Sequence, residues 1–234
     1  MNLFDALPAL RHYPLLRGKQ VALVGVSTIV RDKEAYYFEI SKPKYWQRRR
    51  SPREDVAVLP STSKGDEETT IVGVGGIGGT IERSETVLAC LRREVEEELD
   101  VRVRLVMPSE TILIHDWQIM DKLHLAPSKK RPTPLMVILV PPRLGGPGTP
   151  DHLAILVFRT RLRGVPTPRD LFGLLRVEEQ ALAQFFAHDD WPLEEAQTYP
   201  GVTITLNGQP PPHPILRPIL TARAFQLLVR AGYA

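Results

Sequence analysis

GTIERSETVLACLRREVEEELDV, residues 79 to 101, is the stretch on which the reading of this chain turns. A helix is expected from Ser84 to Leu99, with Ser84 as N-cap and Glu85 in the first turn. At about 100° per residue, Leu88, Leu91, Val95 and Leu99 share one face, which belongs on a core. Glu94, Glu97 and Glu98 fall within about 100° of each other on another face. Three carboxylates this close repel one another, and they lie toward the helix C-terminus, where the dipole disfavours negative charge. A cation that neutralises them makes such a cluster tolerable, and clustered oxygen ligands select hard ions such as Mg²⁺ or Mn²⁺. On its own, EVEEEL also reads as a solvated acidic surface.

The surroundings decide between the two. The stretch resembles the Nudix box, G-x5-E-x7-R-E-U-x-E-E-x-G-U, where U is bulky and aliphatic. Gly79, Glu85, Arg93, Glu94, Val95, Glu97, Glu98 and Val101 fall in place, and Asp100 stands where the final Gly is expected. The resemblance implies that Glu97 and Glu98 bind metal and that a backbone carbonyl of Gly78 adds a ligand. It makes Glu94 a ligand or a base, so that Glu94, Glu97 and Glu98 are the expected catalytic set. It implies that Arg93 pairs with Glu85, anchoring the loop at Gly79 to the helix as structural support. Glu82, Glu178 and Glu179 are candidates for a further acid, with Asp116 and Asp121 weaker ones. The implied cofactor is Mg²⁺ or Mn²⁺. The implied reaction is attack of water on one phosphorus of a nucleoside diphosphate linked to another moiety. The alternative is a catalytically silent Nudix-fold module that binds a nucleotide or RNA. Asp100 is read as a matter of stability, because that position often needs a left-handed backbone.

Outside the box, strands are expected over 20–30, 36–40, 71–77, 102–107, 111–115, 135–140 and 153–161, with a turn at Gly78-Gly79. Helices are expected over 177–186 and 218–229, the latter with Pro218 in its first position and a proline-rich linker at 210–214 before it. Two loops stand out, a polar one at 61–70 and a Pro/Gly-rich one at 141–152. Strands and helices intermix, so the expected class is α/β (α+β). With the resemblance this becomes an α/β/α sandwich with a mixed β-sheet between helices. The 234 residues read as a single Nudix hydrolase domain with an N-terminal extension of about 1–60 and a C-terminal helical extension of about 210–234.

Net charge is +3, a balance that gives no case by itself for nucleic acid, which is not the expected partner. Residues 1–55 hold 11 Lys/Arg against 6 Asp/Glu, and much of the excess lies in a basic arm at 42–53. That arm reads as a solvated loop or a phosphate- or nucleic-acid-facing patch. Tyr45, Trp46 and Trp117 offer faces on which a base could stack, although packing explains them equally. A single cysteine, Cys90, precludes an internal disulfide, and the histidines, His115, His124 and His152 among them, lack zinc-like spacing. The start of the chain lacks an uninterrupted apolar signal segment, and no run of 18 apolar residues exists. The expectation is a cytoplasmic protein with no membrane partner, acting on a nucleotide-like small molecule. Dimerisation is common in the resembled family, and a homodimer stays open.

Overall fold

The computed structural model describes residues 1–49, 69–126, 132–142 and 148–233. Arg50 to Arg53 of the basic arm, residues 61–68 and residues 143–147 lie outside the described residues.

Strands β1 (Val21–Arg31), β2 (Ala35–Ile40), β3 (Gln47–Arg49), β4 (Thr69–Gly75) and β5 (Ile77–Thr80) precede the box helix, after a short helix α1 (Leu3–Ala6). Helix α2 (Val87–Leu99) is followed by β6 (Arg102–Val106), β7 (Thr111–His115), β8 (Gln118–Leu123), β9 (Met136–Val140) and β10 (His152–Arg163). The C-terminal part holds β11 (Gly173–Glu178), α3 (Glu179–Phe185), β12 (Trp191–Pro192), α4 (Leu193–Thr198), β13 (Val202–Leu206), β14 (Pro214–Pro218) and α5 (Leu220–Arg230). The central path of the sheet runs β12-β14-β4-β2-β1-β10-β9-β7-β8, with the remaining strands branching from it. β1 lies parallel to β10 and antiparallel to β2 and β5, so the sheet is mixed.

Alternation along the central strands feeds two cores, one on each face. Ile29, Phe38 and Val157 join Phe225 and Leu228 of α5 and Leu182 and Phe185 of α3. On the other face, Val26, Val30, Leu156 and Phe158 meet Leu91, Val95 and Leu99 of α2 and Leu3 of α1. The expected layering, helices on both sides of a mixed sheet, is the observed one. Each fully buried aliphatic side chain of α2 contributes about 1.5–3 kcal/mol of burial to this packing.

Four sequence expectations need correction. The cap of α2 is Thr86, whose hydroxyl accepts from Ala89 N–H at 3.2 Å; Ser84 sits earlier in a left-handed turn. Gly78 and Gly79 form no turn. They lie in β5 against Ser27 and Val26 of β1, where a Cβ at Gly78 would collide with the β1 backbone. Val177 and Glu178 end β11, and the helix begins only at Glu179, because register with β2 and β13 claims the residues before it. Pro214 to Pro218 is strand β14, parallel to β4, and not a linker leading to a helical Pro218. Pro tolerates such a position when its missing N–H is not needed by the ladder.

Candidate active site

Strand β5 and helix α2 form one unit. Glu85 is the hinge between them. Its carboxylate accepts from Glu82 N–H at 3.0 Å and from Arg93 Nε and Nη2 at 3.0 and 3.1 Å. This two-pronged guanidinium bond holds Glu85 down to about 2, and it raises the proton affinity of Arg93 in turn. Arg93 also reaches Thr80 O at 3.3 Å, Glu94 at 2.8 Å and Glu97 at 3.1 Å. The expected Arg93–Glu85 clamp is therefore present, and it gathers more of the box than the pair alone.

The C-terminal end of α2 is held from far downstream. Leu99 O accepts from Thr167 N–H (2.8 Å), Glu98 O from Arg169 N–H (3.0 Å) and Glu97 O from Asp170 N–H (3.3 Å). These are the carbonyls a helix end leaves without partners. Asp100 adopts the left-handed conformation (φ 54°, ψ 33°), as the box position requires, and its carboxylate meets Arg169.

The acids of the helix lie at three depths. Glu98 is buried at 8% exposure, Glu94 is half-buried and Glu97 is exposed on Arg93. Glu98 Oε2 accepts from Gly78 N–H at 3.0 Å. Glu94 sits over Gly79, where any Cβ would strike its carboxylate. A third acid, half-buried and missed by the sequence reading, is Glu39 of β2. Register pairs it with Gly75 of β4, and its carboxylate fills the space a side chain there would take. Two glycines thus seat two carboxylates, and Glu39, Glu94 and Glu98 repel one another. Burial pushes Glu98 up to about 9, helped by repulsion from Glu39 and opposed by the Gly78 N–H. Burial likewise raises Glu39 to about 7, against the attraction of Lys42, and raises Glu94 despite Arg93. Arg93 is bound to Glu94, and Lys42, the cation that acts on Glu39 and Glu98, is itself bound to Asp170 at 2.8 Å.

These acids open on a cleft of about 1210 Å³ that Gly78, Gly79, Lys42 and Lys44 also line. Tyr45, Trp46 and Trp117 line it too. Tyr45 and Trp117 are exposed, whereas Trp46 is fixed by its Nε1 bond to Ser41 O (2.7 Å) and by Phe172. Asp170, Asp189, Asp190, Arg217 and Arg223 complete the charged lining.

Other candidates lie elsewhere. Glu82 is exposed, and only its backbone serves Glu85. Glu178 accepts from Arg176 and Gln180 at 3.0 Å, and Glu179 pairs with Arg31. Asp121 is exposed on β8, and Asp116 occupies the hairpin turn before Trp117. None of these five acids lines the cleft. Cys90 is buried and its thiol is raised to about 12, mainly by burial, which suits packing. His115 packs edge-on against His152. Among the described residues, no three His, Cys, Asp or Glu side chains converge on one point, since Arg93 and Gly78 N–H hold the helix acids.

A glycine-bearing strand clamped by Arg–Glu contacts to an acid-bearing helix, on a mixed sheet between helix layers, defines the class of a Nudix domain. The NUDIX domain model matches residues 46–200, and the chain belongs to that family. Among solved structures it is similar to a NUDIX-family hydrolase from Clostridium perfringens (17% identity, 68% of this chain and 83% of that one, TM-score 0.36). It is also similar to a Jonesia denitrificans protein described as a possible asymmetric diadenosine tetraphosphate hydrolase (16%, 72% and 83%, TM-score 0.36). A third similar structure is the E. coli ORF135 protein (13%, 69% and 79%, TM-score 0.33). No curated protein matches the chain. No helix among the described residues is long and apolar enough to cross a membrane.

Proposed function

We propose that this chain is a divalent-cation-dependent hydrolase that splits a pyrophosphate bond in a nucleoside diphosphate linked to another moiety, by attack of water on phosphorus. The observation that carries the proposal is the trio of buried Glu98 and half-buried Glu39 and Glu94 opening on a cleft that also holds basic side chains.

The donor set fits a hard cation. Glu94 and Glu98, with Glu39 beside them and the Gly78 carbonyl added by family resemblance, offer oxygen alone, which suits Mg²⁺ or Mn²⁺. Buried carboxylates of raised proton affinity lack positive charge, and a divalent ion supplies it. Glu97 belongs to this set by family resemblance; here its carboxylate rests on Arg93. A bound ion polarises the phosphoryl oxygens and offsets charge on the leaving phosphate. The remaining work falls to the chain's own residues. Lys44 supplies positive charge along the cleft for a diphosphate, beside Lys42, Arg217 and Arg223, each of which is paired to a cleft aspartate. Tyr45 and Trp117 present exposed rings to a nucleobase. A cleft carboxylate whose proton affinity burial has raised is suited to take the proton of the attacking water. The single cysteine accords with work in a reducing cytoplasm.

The test is incubation with Mg²⁺ and a panel of ADP-ribose, dinucleoside polyphosphates, sugar nucleotides and oxidised nucleoside triphosphates, read by release of phosphate-bearing products. Hydrolysis of at least one class, abolished by chelation, is expected. Binding without turnover across the panel would establish the silent-module reading instead, and full activity after exhaustive chelation would refute the cation requirement.

A further inference from the structure

A second charged surface lies on the β6–β10 pair. Register sets Arg104 opposite Arg161 and Arg102 opposite Arg163. Side chains alternate along a strand and directly opposite residues point the same way, so Arg159, Arg161, Arg163, Arg102 and Arg104 share one face. Four of them are exposed and Arg159 is half-buried, with its Nε enclosed and without a partner. The other face carries Val103, Leu105 and Leu162, which pack toward α2. Among the described residues, none of the five arginines makes an ion pair. None lines the cleft. Arg31, the neighbour of Arg161 in β1, shows the contrast: the chain supplies it with Glu179 at 3.0 Å.

Like charges directly opposite in a ladder destabilise it. Two such rungs in succession, with no acid between them, are a standing cost to the sheet that an anionic partner would relieve. The side chains are all arginine, whose planar fork matches phosphate oxygens. Neighbouring strands lie about 4.8 Å apart and alternate residues about 6.7 Å apart along a strand. The forks therefore spring from a rigid grid much tighter than one small ligand needs, and suited to a chain of closely spaced phosphates. Neither strand carries an exposed aromatic or large apolar side chain, so nothing here stacks on bases or enters a bilayer.

We infer that this arginine ladder binds the phosphate backbone of a nucleic acid strand, without regard to sequence and apart from the catalytic cleft. Composition gives no hint of it, because the charge lies in the pairing of strands far apart in the chain.

The test is fluorescence anisotropy of the full chain with a labelled 20-nucleotide single strand across a KCl series, with the Arg102→Gln/Arg104→Gln/Arg161→Gln/Arg163→Gln variant beside it. Wild-type affinity should fall with salt, and the variant should bind at least about tenfold more weakly. Its log–log salt slope should be shallower by about 0.7 for each arginine that neutralised a phosphate. Its Tm should be unchanged or higher, since repulsion is removed, and its turnover of a small nucleotide substrate should match wild type. Should four changes disturb folding, Arg104→Gln/Arg161→Gln removes one rung and carries the same comparison. Absence of binding at low salt, or binding untouched in the folded variants, overturns the proposal. Tighter binding to phosphatidylserine vesicles than to the oligonucleotide overturns it in favour of a lipid surface.

Discussion

Two sets of acids line the same cleft under opposite conditions. Asp189 and Asp190 sit among arginines: Arg217 grips Asp190 with Nε at 2.6 Å, and Arg223 and Arg230 reach Asp189 at 2.6 and 2.9 Å. Their charge is met within the chain, and the arginine bonds hold Asp189 below its ordinary range. Glu39, Glu94 and Glu98 have Arg93 on one flank and a Lys42 already committed to Asp170, and all three are raised by burial. Acids matched from within are architecture. Glu39 and Glu98, which make no ion pair among the described residues, and Glu94, which shares one arginine with Glu85 and Glu97, are a demand on something from outside, and the fold bears their repulsion until it arrives.

The most severe test of that contrast is Glu98→Gln. Glutamine keeps the shape and can still accept from Gly78 N–H, so the fold should survive. Turnover should fall on the order of 10²-fold or more if Glu98 helps hold the cation. Near-normal kcat with an unaltered Mg²⁺ requirement would remove Glu98 from the site.

Glu39→Gln and Asp190→Asn should then part company. The first should lower turnover about tenfold and weaken the apparent Mg²⁺ affinity, while metal-free Tm holds or rises because one repelling charge is gone. The second should leave kcat within a few-fold yet cost about 1 kcal/mol, a figure kept small because both partners are partly exposed. That corresponds to a Tm drop of about 2–4 °C in a chain of this size. Paired kinetics and melts decide the matter; an Asp190→Asn protein that keeps its Tm but loses turnover would reverse the assignment of the two sets.

Solution pH separates them by sign. Glu98 and Glu39 are raised above their unfolded values, so the folded state holds their protons more tightly. In chelator their contribution is greatest below about 4.5 and is lost as pH rises through about 7 and about 9. Asp189 is lowered, so its contribution is present above the ordinary aspartate value and is lost as pH falls through its folded one. Metal-free Tm should therefore decline from pH 5 to 9, and saturating Mg²⁺ should flatten that decline. A metal-free Tm that climbs over the same range would contradict the unmatched state of the glutamates.

The helix acids were legible in the sequence because they recur at helical spacing within one short segment, and the Arg93–Glu85 pair because that segment resembles the Nudix box. Glu39 was illegible for the converse reason. In AYYFEI it looks like the polar member of an ordinary alternating strand, and only the β2–β4 register sets it over Gly75. The glycines of IVGVGGIGG read as part of a strand and a turn, with nothing to say whose side chain approaches them. The mixed α/β class was readable from the strand and helix patterns, and the layering followed from the resemblance. The boundaries at 84, 177 and 218 were not, because Thr86 outcompetes Ser84 as a cap and ladder partners elsewhere claim the other two. The carbonyl partners of the helix end, Thr167, Arg169 and Asp170, come from a loop that no local pattern links to α2.

The smallest expected effect concerns Asp100, an acid that is matched but barely. Its left-handed backbone favours glycine, and its charge sits at a helix C-terminus, where the dipole disfavours it by about 0.3–1 kcal/mol. Both factors favour Asp100→Gly. Against them stand the ion pair with Arg169, worth about 0.2–1 kcal/mol between exposed partners, and the extra freedom glycine gives the unfolded chain, about 0.4–1 kcal/mol. The opposing contributions are of one size, so Asp100→Gly should change stability by no more than about 0.5 kcal/mol, roughly 1–2 °C in Tm. The dipole and the ion pair are both screened, so salt should move the difference little. Turnover should stay within a few-fold, because the Asp100 carboxylate turns to Arg169 and does not line the cleft. Arg169→Ala alone should lose the pair without touching the backbone, and the double-mutant cycle isolates it. A strongly destabilised Asp100→Gly protein with a raised Mg²⁺ requirement would place Asp100 with the unmatched acids, and the division of the cleft into two sets would have to be redrawn.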